Sequence, residues 1–221
     1  MLPLLLVASL AHAQSAPDLL VKMKRAWETL SSYKTGQIIQ ERVRGELGPE
    51  QKVRVKFRKP WEIQLEWETL HPGRKVYWNA ARHDGEVQVY PGGFTGRTLG
   101  ILSFALDNSI LKRDTNYTPA AGGFGYLIET IAKTAEGTKR PTASQPVAGT
   151  VRGEAVWSVA LAGIDNPRYQ KAELVVSAAS GLPVRFTSWT NDGTLAERYE
   201  WYETVIDLKL DDKTDFDVGY R

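Results

Sequence analysis

Short segments in which apolar and polar residues alternate dominate the chain. In residues 53–57 and 61–67 every second side chain is apolar, and the side chains between them are charged or carry an amide. A period of two predicts strands with one apolar and one polar face. The two runs meet at Lys59 and Pro60. Because their apolar face is rich in aromatic residues, another element must cover it.

The same alternation predicts strands along most of the chain. Short turns such as Gly48-Pro49, Pro72-Gly73 and Asp84-Gly85 separate them and favour an antiparallel arrangement. The predicted strands are residues 33–43, 53–57, 61–67, 74–78, 87–90, 156–161, 171–177, 184–189 and 197–208.

Two segments have helical spacing instead. Ser15 and Asp18 fit a capping box, and the apolar residues after them predict a helix that ends near Ser31. A second helix is predicted from Phe124 to Ala135. Between the helices, residues 99–111 are apolar without a clear period and are predicted to form a lid. After the second helix, residues 139–146 are predicted to form a linker. Many strands with two helices predict an α+β fold: a single curved antiparallel sheet that forms an incomplete β-barrel wrapped around a helical lid or plug.

Composition narrows the compartment and the chemistry. The first ten residues are apolar and uncharged and precede Ala11-His12-Ala13, which predicts a signal peptide over residues 1–13 and a single domain over residues 14–221. No apolar run is long enough to span a bilayer. The absence of cysteine excludes disulfides and thiolate catalysis, and a net charge of +2 gives no reason to expect nucleic-acid binding. We therefore expect a periplasmic protein that does not span the membrane.

Several short motifs resemble the superfamily of the periplasmic lipoprotein carrier LolA. The first helix with the strand after it, and the KFRKPW junction, are similar to that superfamily. The motifs GELG, VYPGG, GFGYLIETI and DFDVGY are most similar to an uncharacterised group of exported bacterial proteins within it. The resemblance covers most of residues 15–221. It implies an incomplete antiparallel barrel with a helical lid, around an apolar cavity that accepts lipid or lipoprotein acyl chains.

The resemblance also points to a polar latch. In the carrier, an arginine directly before the proline holds the lid closed. Here Lys59 precedes Pro60, and the arginine lies one position earlier, at Arg58. These two residues are the predicted polar rim or latch.

The predicted ligand contacts come from the aromatic-rich strands and the second helix. The wall residues are Val55, Phe57, Trp61, Ile63, Leu65 and Trp67. The plug residues are Phe124, Leu127, Ile128 and Ile131. Periodicity alone cannot separate a cavity wall from ordinary core packing against the helices, so both interpretations stay open here.

Other polar groups give weaker signals. His83-Asp84 fits a surface turn better than a catalytic pair, and the histidines lack metal-ligand spacing. Glu62, Glu66 and Glu68 are predicted to form a solvated face opposite arginine and lysine residues, and Glu41-Arg42 to be a surface pair. No catalytic residue, metal or cofactor is expected.

Three hypotheses follow for function. The first is a non-enzymatic periplasmic carrier or binding protein for a hydrophobic ligand, either lipid or lipoprotein acyl chains. The second is an envelope interaction or sensor module that binds a membrane partner. The third, less favoured, is an enzyme on the same fold.

Overall fold

The computed structural model describes residues 15–218. These residues form one antiparallel sheet of 13 strands and three α-helices. The predicted signal peptide, residues 1–13, lies outside the described residues. The strands are β1 (Ser32–Val43), β2 (Glu46–Leu47), β3 (Gln51–Arg58), β4 (Glu62–Trp67), β5 (Lys75–Asn79), β6 (Val87–Tyr90), β7 (Leu102–Phe104), β8 (Thr142–Ala143), β9 (Val147–Val151), β10 (Glu154–Ala162), β11 (Lys171–Ser177), β12 (Pro183–Trp189) and β13 (Leu195–Ile206). The helices are α1 (Ala16–Thr29), α2 (Gly93–Leu99) and α3 (Gly125–Glu136).

Strand β1 joins two antiparallel meanders. On one side it pairs with β3, which is followed in order by β4, β5, β6 and β7. On the other side it pairs with β13, followed by β12, β11, β10 and β8. The short strands β2 and β9 pair with β1 and β10. The sheet ends at β7 and β8 without closing, so the predicted α+β class with a single open antiparallel sheet is confirmed.

Helix α1 begins as the sequence predicts. The Ser15 hydroxyl accepts a hydrogen bond from the Asp18 amide at 3.3 Å, and the Asp18 carboxylate accepts one from the Ser15 amide at 3.3 Å. These bonds satisfy two of the amide groups that a helix start leaves without partners. The apolar face of the helix buries Leu19, Met23 and Trp27.

Two glycines let helix α3 pack closely against the rest of the core. A Cβ atom at Gly123, whose φ is +70°, would lie 2.0 Å from the Tyr33 hydroxyl oxygen. A Cβ atom at Gly125 would lie 2.4 Å from the ring of Trp27. Only glycine fits at either position, because any side chain would displace an aromatic ring.

Aromatic rings fill the space between the two long helices and the sheet. The Phe124 ring stacks on Tyr33 with centroids 4.1 Å apart, and Tyr33 stacks on Phe57 at 5.1 Å. Trp27 contacts Phe57 at 5.1 Å, and Trp61 lies edge-on to both. This cluster is close-packed core, and it occupies one end of the inner face of the sheet.

Residues 91–123, called the cap below, contain more regular secondary structure than their irregular apolar pattern predicts. They contain helix α2, strand β7 and 3₁₀ turns at Ser109–Lys112 and Pro119–Ala121. Strand β7 is only three residues long and pairs with β6 at the sheet edge, so it leaves almost no alternation in the sequence. For the same reason β8 escaped prediction within the expected linker.

The C-terminal segment, residues 207–218, packs on the outer face of the sheet. Leu210, Phe216 and Val218 form a buried cluster with Tyr77, packed against Tyr90 and Leu208. The amide of Gln64, which points away from the cavity, donates to the Asp217 carbonyl at 3.0 Å. The outer face of β4 and β5 is therefore covered instead of solvated.

Because the C-terminal segment covers this face, the prediction of a solvated glutamate face is wrong for Glu62. Glu62 is only 2% exposed, and its carboxylate accepts hydrogen bonds from the Tyr77 hydroxyl at 2.8 Å and from Arg58. Glu68, in contrast, is solvent-exposed and pairs with Arg54 at 2.6 Å, as alternation predicts. Alternation fixes which face a side chain occupies but not what later packs on that face.

No helix among residues 15–218 is long and apolar enough to cross a membrane.

Replacing Phe216 by alanine tests the role of the C-terminal segment. Phe216 is 5% exposed, so Phe216→Ala should lower the free energy of unfolding by about 3 kcal/mol, as expected for a truncated core aromatic. Phe94→Ala makes the same change at a side chain that is 84% exposed, and should shift stability by less than about 0.5 kcal/mol. Urea unfolding of both variants measures the difference, and equal midpoints would show that the segment contributes little.

Candidate functional site

A cavity lies between the inner face of the sheet and the cap. Its volume is about 430 Å³, within the range of small-molecule binding sites. The sheet supplies apolar wall residues that include Ile39, Leu65, Val76, Val89, Phe186 and Trp201. The cap and helix α3 supply Leu99, Leu102, Leu111 and Leu127 from the opposite side.

The structure divides the predicted ligand contacts into three groups. Leu65, Trp67 and Leu127 line the cavity. Trp61 lines a second, more open hollow beside it, and Ile131 packs against the core. The others lie in the close-packed core and do not line the cavity: Val55, Phe57, Ile63, Phe124 and Ile128. Ligand binding by the first group stays a prediction, and the cavity is displaced from the predicted wall towards β5, β6 and the cap.

Lys59 fastens helix α1 instead of the cap. Its ammonium group donates to the Trp27 carbonyl at 2.5 Å and the Glu28 carbonyl at 2.8 Å. These are carbonyl groups in the last turn of the helix, which lack partners within the helix and carry partial negative charge. The ammonium nitrogen also lies 5.0 Å from the centre of the Trp27 ring.

Arg58 lies on the outer face, away from the cavity. Its guanidinium group pairs with Glu62 and Asp212 and donates to the Leu210 carbonyl at 3.1 Å. It therefore holds the C-terminal segment, and of the two predicted latch residues neither reaches the cap. The reason is geometric, because adjacent strand positions point to opposite faces and Lys59 follows the end of β3.

Two buried carboxylates lie side by side at the end of the cavity that is farther from β5 and β6. Glu41 and Glu197 are directly opposite each other in the β1–β13 ladder, and they are 5% and 2% exposed. Both line the cavity. Like charges at opposite positions repel, so each carboxylate needs its own compensating donors.

Glu41 fastens the cap to the central strand. Its carboxylate accepts hydrogen bonds from the Thr115 hydroxyl at 2.9 Å and from the Asn116 amide at 2.7 Å. The Asn116 side chain donates in turn to the Arg42 carbonyl at 3.1 Å. Glu41 is thus a buried anchor, and the prediction of a surface pair with Arg42 is wrong for it.

Glu197 has a different set of partners. The Tyr117 hydroxyl lies 3.1 Å from both of its oxygens, and Arg168 approaches one of them at 3.4 Å. Burial raises the pKa of Glu197 to about 7, with the charge of Arg168 opposing the rise and that of Glu41 adding to it. Burial also raises the pKa of Tyr117. Glu197 can therefore bind a proton near neutral pH, whereas the Tyr117 hydroxyl keeps its own proton there.

One sequence signal could have found this cluster. Along β13, Glu197 alternates with Tyr199 and Trp201 on one face, and all three line the cavity. Along β1, Glu41 shares the inner face with Gln37 and Ile39 in the same way. An acidic residue at an apolar phase of the alternation marks a buried polar site. Tyr117 and Arg168 lie in irregular segments and leave no such signal.

Two other chemical signals can be placed. His83-Asp84 lies in a one-turn 3₁₀ segment, His83–Gly85, which is exposed at both side chains, in agreement with the predicted surface turn. Across the described part of the chain, no group of three or more acidic, histidine or cysteine side chains is arranged to hold a metal ion.

The chain belongs to the family described as "Protein of unknown function (DUF1571)", which matches residues 30–220. No curated protein matches it.

Solved structures share the fold at low sequence identity. An uncharacterised conserved protein from Thermus thermophilus is 12% identical, with a TM-score of 0.54 over 91% of this chain and 93% of the other. MucB, in the MucA/MucB complex of Pseudomonas aeruginosa, is 16% identical, with a TM-score of 0.52 over 89% of this chain and 58% of the other. This chain therefore spans less than two thirds of MucB. A LolA superfamily protein from Nitrosomonas europaea is 13% identical, with a TM-score of 0.38 over 92% of this chain and 98% of the other. LolA superfamily structures are thus among the matches, as the sequence motifs predicted.

The raised pKa of Glu197 predicts a pH-dependent stability. Its pKa is about 7 when folded and about 4.5 when unfolded, so the folded state binds more protons between these values. Stability should therefore fall by roughly 3 kcal/mol as pH rises from 4.5 to 7, and Glu197→Gln should remove this fall. Urea unfolding across this range measures it.

A control variant separates this effect from the loss of any carboxylate. Glu154→Gln removes an exposed glutamate from strand β10 and should keep the pH dependence of the wild type. If Glu197→Gln gave a pH profile parallel to the wild type, Glu197 would not be the group responsible.

Proposed function

We propose that the protein is a non-enzymatic periplasmic binding or carrier protein that holds a hydrophobic ligand, lipid or lipoprotein acyl chains, in the cavity under the cap. The observation that carries this proposal is the cavity of about 430 Å³, walled by aliphatic and aromatic side chains of the sheet and roofed by leucines of the cap. The periplasmic location is supported by the predicted signal peptide over residues 1–13.

The energetics favour an acyl chain as the occupant. Each methylene group buried from water contributes about 0.8 kcal/mol, so a sixteen-carbon chain would contribute on the order of 13 kcal/mol before the costs of binding. Such a ligand needs apolar contact along its length and few polar partners. Leu65, Val76 and Leu127 supply contact of this kind from both sides of the cavity.

The buried carboxylates of Glu41 and Glu197 give no reason to assign a catalytic reaction. The Glu41 carboxylate is engaged by Thr115 and Asn116, and the Glu197 carboxylate by Tyr117 and Arg168. Each acid is thus bonded to two groups of the protein itself, and three of these four groups belong to the cap. We infer that the pair holds the cap in place and is not a general acid and base.

Exposed apolar side chains near the cavity fit a role in passing a ligand on. Phe94, Leu99, Ile101 and Ile110 all belong to the cap, and they are 84%, 56%, 43% and 52% exposed. Leu99 and Ile110 also line the cavity. An apolar rim continuous with an apolar cavity would let an acyl chain enter without crossing a polar surface.

The cavity can be tested by placing a charge inside it. Leu127→Glu should weaken binding of a fluorescent fatty acid at least about tenfold, because an unpaired charge in an apolar site costs more than about 1.4 kcal/mol. Lys133→Glu places the same side chain at an exposed position of α3 and should leave the affinity unchanged. Mass spectrometry of wild-type protein from its own periplasm should also find bound lipid. No lipid in that protein, together with no binding of the probe, would contradict the proposal.

A second candidate is an envelope module that binds another protein. It is favoured by the MucA/MucB complex, in which a protein of the same fold is bound to MucA. The exposed cap residues Phe94 and Ile110 would form the contact. Crosslinking in intact envelopes should then capture one stoichiometric partner, and Phe94→Ser should lose it while keeping the affinity for the fatty acid. Capture that persists equally in Phe94→Ser would count against this surface.

A further inference from the structure

Within residues 15–218, one cationic side chain lines the cavity without a carboxylate partner. Arg74 precedes strand β5 and is partly buried in the cavity wall. Its guanidinium carbon lies 5.8 Å from the centre of the Trp67 ring, which also lines the cavity. Trp67 is held in turn by its indole N–H, which donates to the Gln51 side-chain oxygen at 2.7 Å. The aromatic ring thus orients the guanidinium group beside the cavity.

The backbone of Arg74 is fixed by its turn. Its amide donates to the His71 carbonyl at 3.0 Å, and its carbonyl accepts from the Trp67 amide at 2.9 Å. A Cβ atom at Gly92, whose φ is +79°, would lie 2.7 Å from the Arg74 amide nitrogen. The start of the cap therefore packs directly against this turn. The Arg74 backbone is thus part of the packed cavity wall and not of a free loop.

The charge of Arg74 is not neutralised within the described part of the chain. Asp114, whose charge acts on Arg74, forms its ion pair with Arg113 at 3.3 Å, and no carboxylate of residues 15–218 is within ion-pair distance of Arg74. By contrast, Arg54 and Arg58 on the outer face each pair with two carboxylates. Burial lowers the pKa of Arg74, with Asp114 opposing that shift. A partly buried cation without a counter-ion favours an anion from outside the chain.

The acidic pair does not cancel this site. Glu41 lies on β1, three strands from β5, which corresponds to roughly 14 Å across the sheet. Its charge and that of Glu197 are already met by their own donors. The cavity therefore has Arg74 at one side, near the Arg113–Asp114 ion pair, and the acid pair Glu41 and Glu197 at the other.

We propose that Arg74 binds the anionic end of the ligand, so that the cavity selects acyl chains ending in an oxyanion, a carboxylate or a phosphate, over neutral chains. This inference rests on the proposed function, because it assigns the polar end of the same ligand. A guanidinium fork can donate two parallel hydrogen bonds to either oxyanion, and the Trp67 ring lies beside this one.

Matched pairs of ligands test the selection on wild-type protein. Calorimetry at about pH 8, where a carboxylic acid is ionised, compares hexadecanoic acid with 1-hexadecanol. It also compares dihexadecanoyl phosphatidic acid with the corresponding diacylglycerol. At least one acid should bind about tenfold more tightly than its neutral partner, and the pair that shows the larger ratio identifies carboxylate or phosphate as the preferred end.

Variants then assign the selection to Arg74. In Arg74→Gln the acid-to-neutral ratio should fall to about one while the neutral ligand keeps its affinity. Arg140→Gln removes an exposed arginine outside the cavity and should keep the wild-type ratio. Circular dichroism spectra confirm that both variants are folded.

The outcomes separate the two proposals. If acids and neutral partners bind wild-type protein equally, or if Arg74→Gln keeps the wild-type ratio, the role of Arg74 is overturned while the hydrophobic cavity stands. If none of the four ligands binds, both the selection and the cavity's proposed function are overturned.

Discussion

The pairing of strand β1 with both β3 and β13 is the interaction on which the rest of the molecule depends. It joins two meanders that otherwise share no strand pairing in the described sheet. Along its inner face, β1 passes through three different environments. Tyr33 lies in the aromatic core, Gln37 and Ile39 line the cavity, and Glu41 holds the cap. Within nine residues, β1 thus passes from the aromatic core to a buried carboxylate.

The two faces of the sheet use their charges differently. On the outer face Arg58, Glu62 and Asp212 compensate one another and hold the C-terminal segment down. On the inner face Glu41 and Glu197 are bonded to donors of the cap and to Arg168, while Arg74 has no carboxylate partner within residues 15–218. A charged group without a counter-ion on a concave surface is a place where a site gains specificity for its ligand.

The periodic parts of the chain are predictable from sequence, and the irregular parts are not. The capping box at Ser15 and the spacing after Phe124 locate both long helices, and alternation locates the longer strands. Alternation also marks one face of β3 and β4, but it cannot say how deep each position lies. Phe57 is therefore core and Leu65 is cavity, although the two share a face, because the helices cover only part of it. The partners Tyr117 and Arg168 depend on tertiary folding of loops.

The order of the strands has a consequence for how the protein acquires its structure. Strand β1 is the first strand of residues 15–218 to be synthesised, and one of its two main partners, β13, is the last of them. Contacts between residues so far apart in sequence close slowly and only once both strands are present. A nascent chain therefore carries β1 with one edge open until β13 has been synthesised. Any factor that guards exposed strand edges would have to act on this protein before β13 appears.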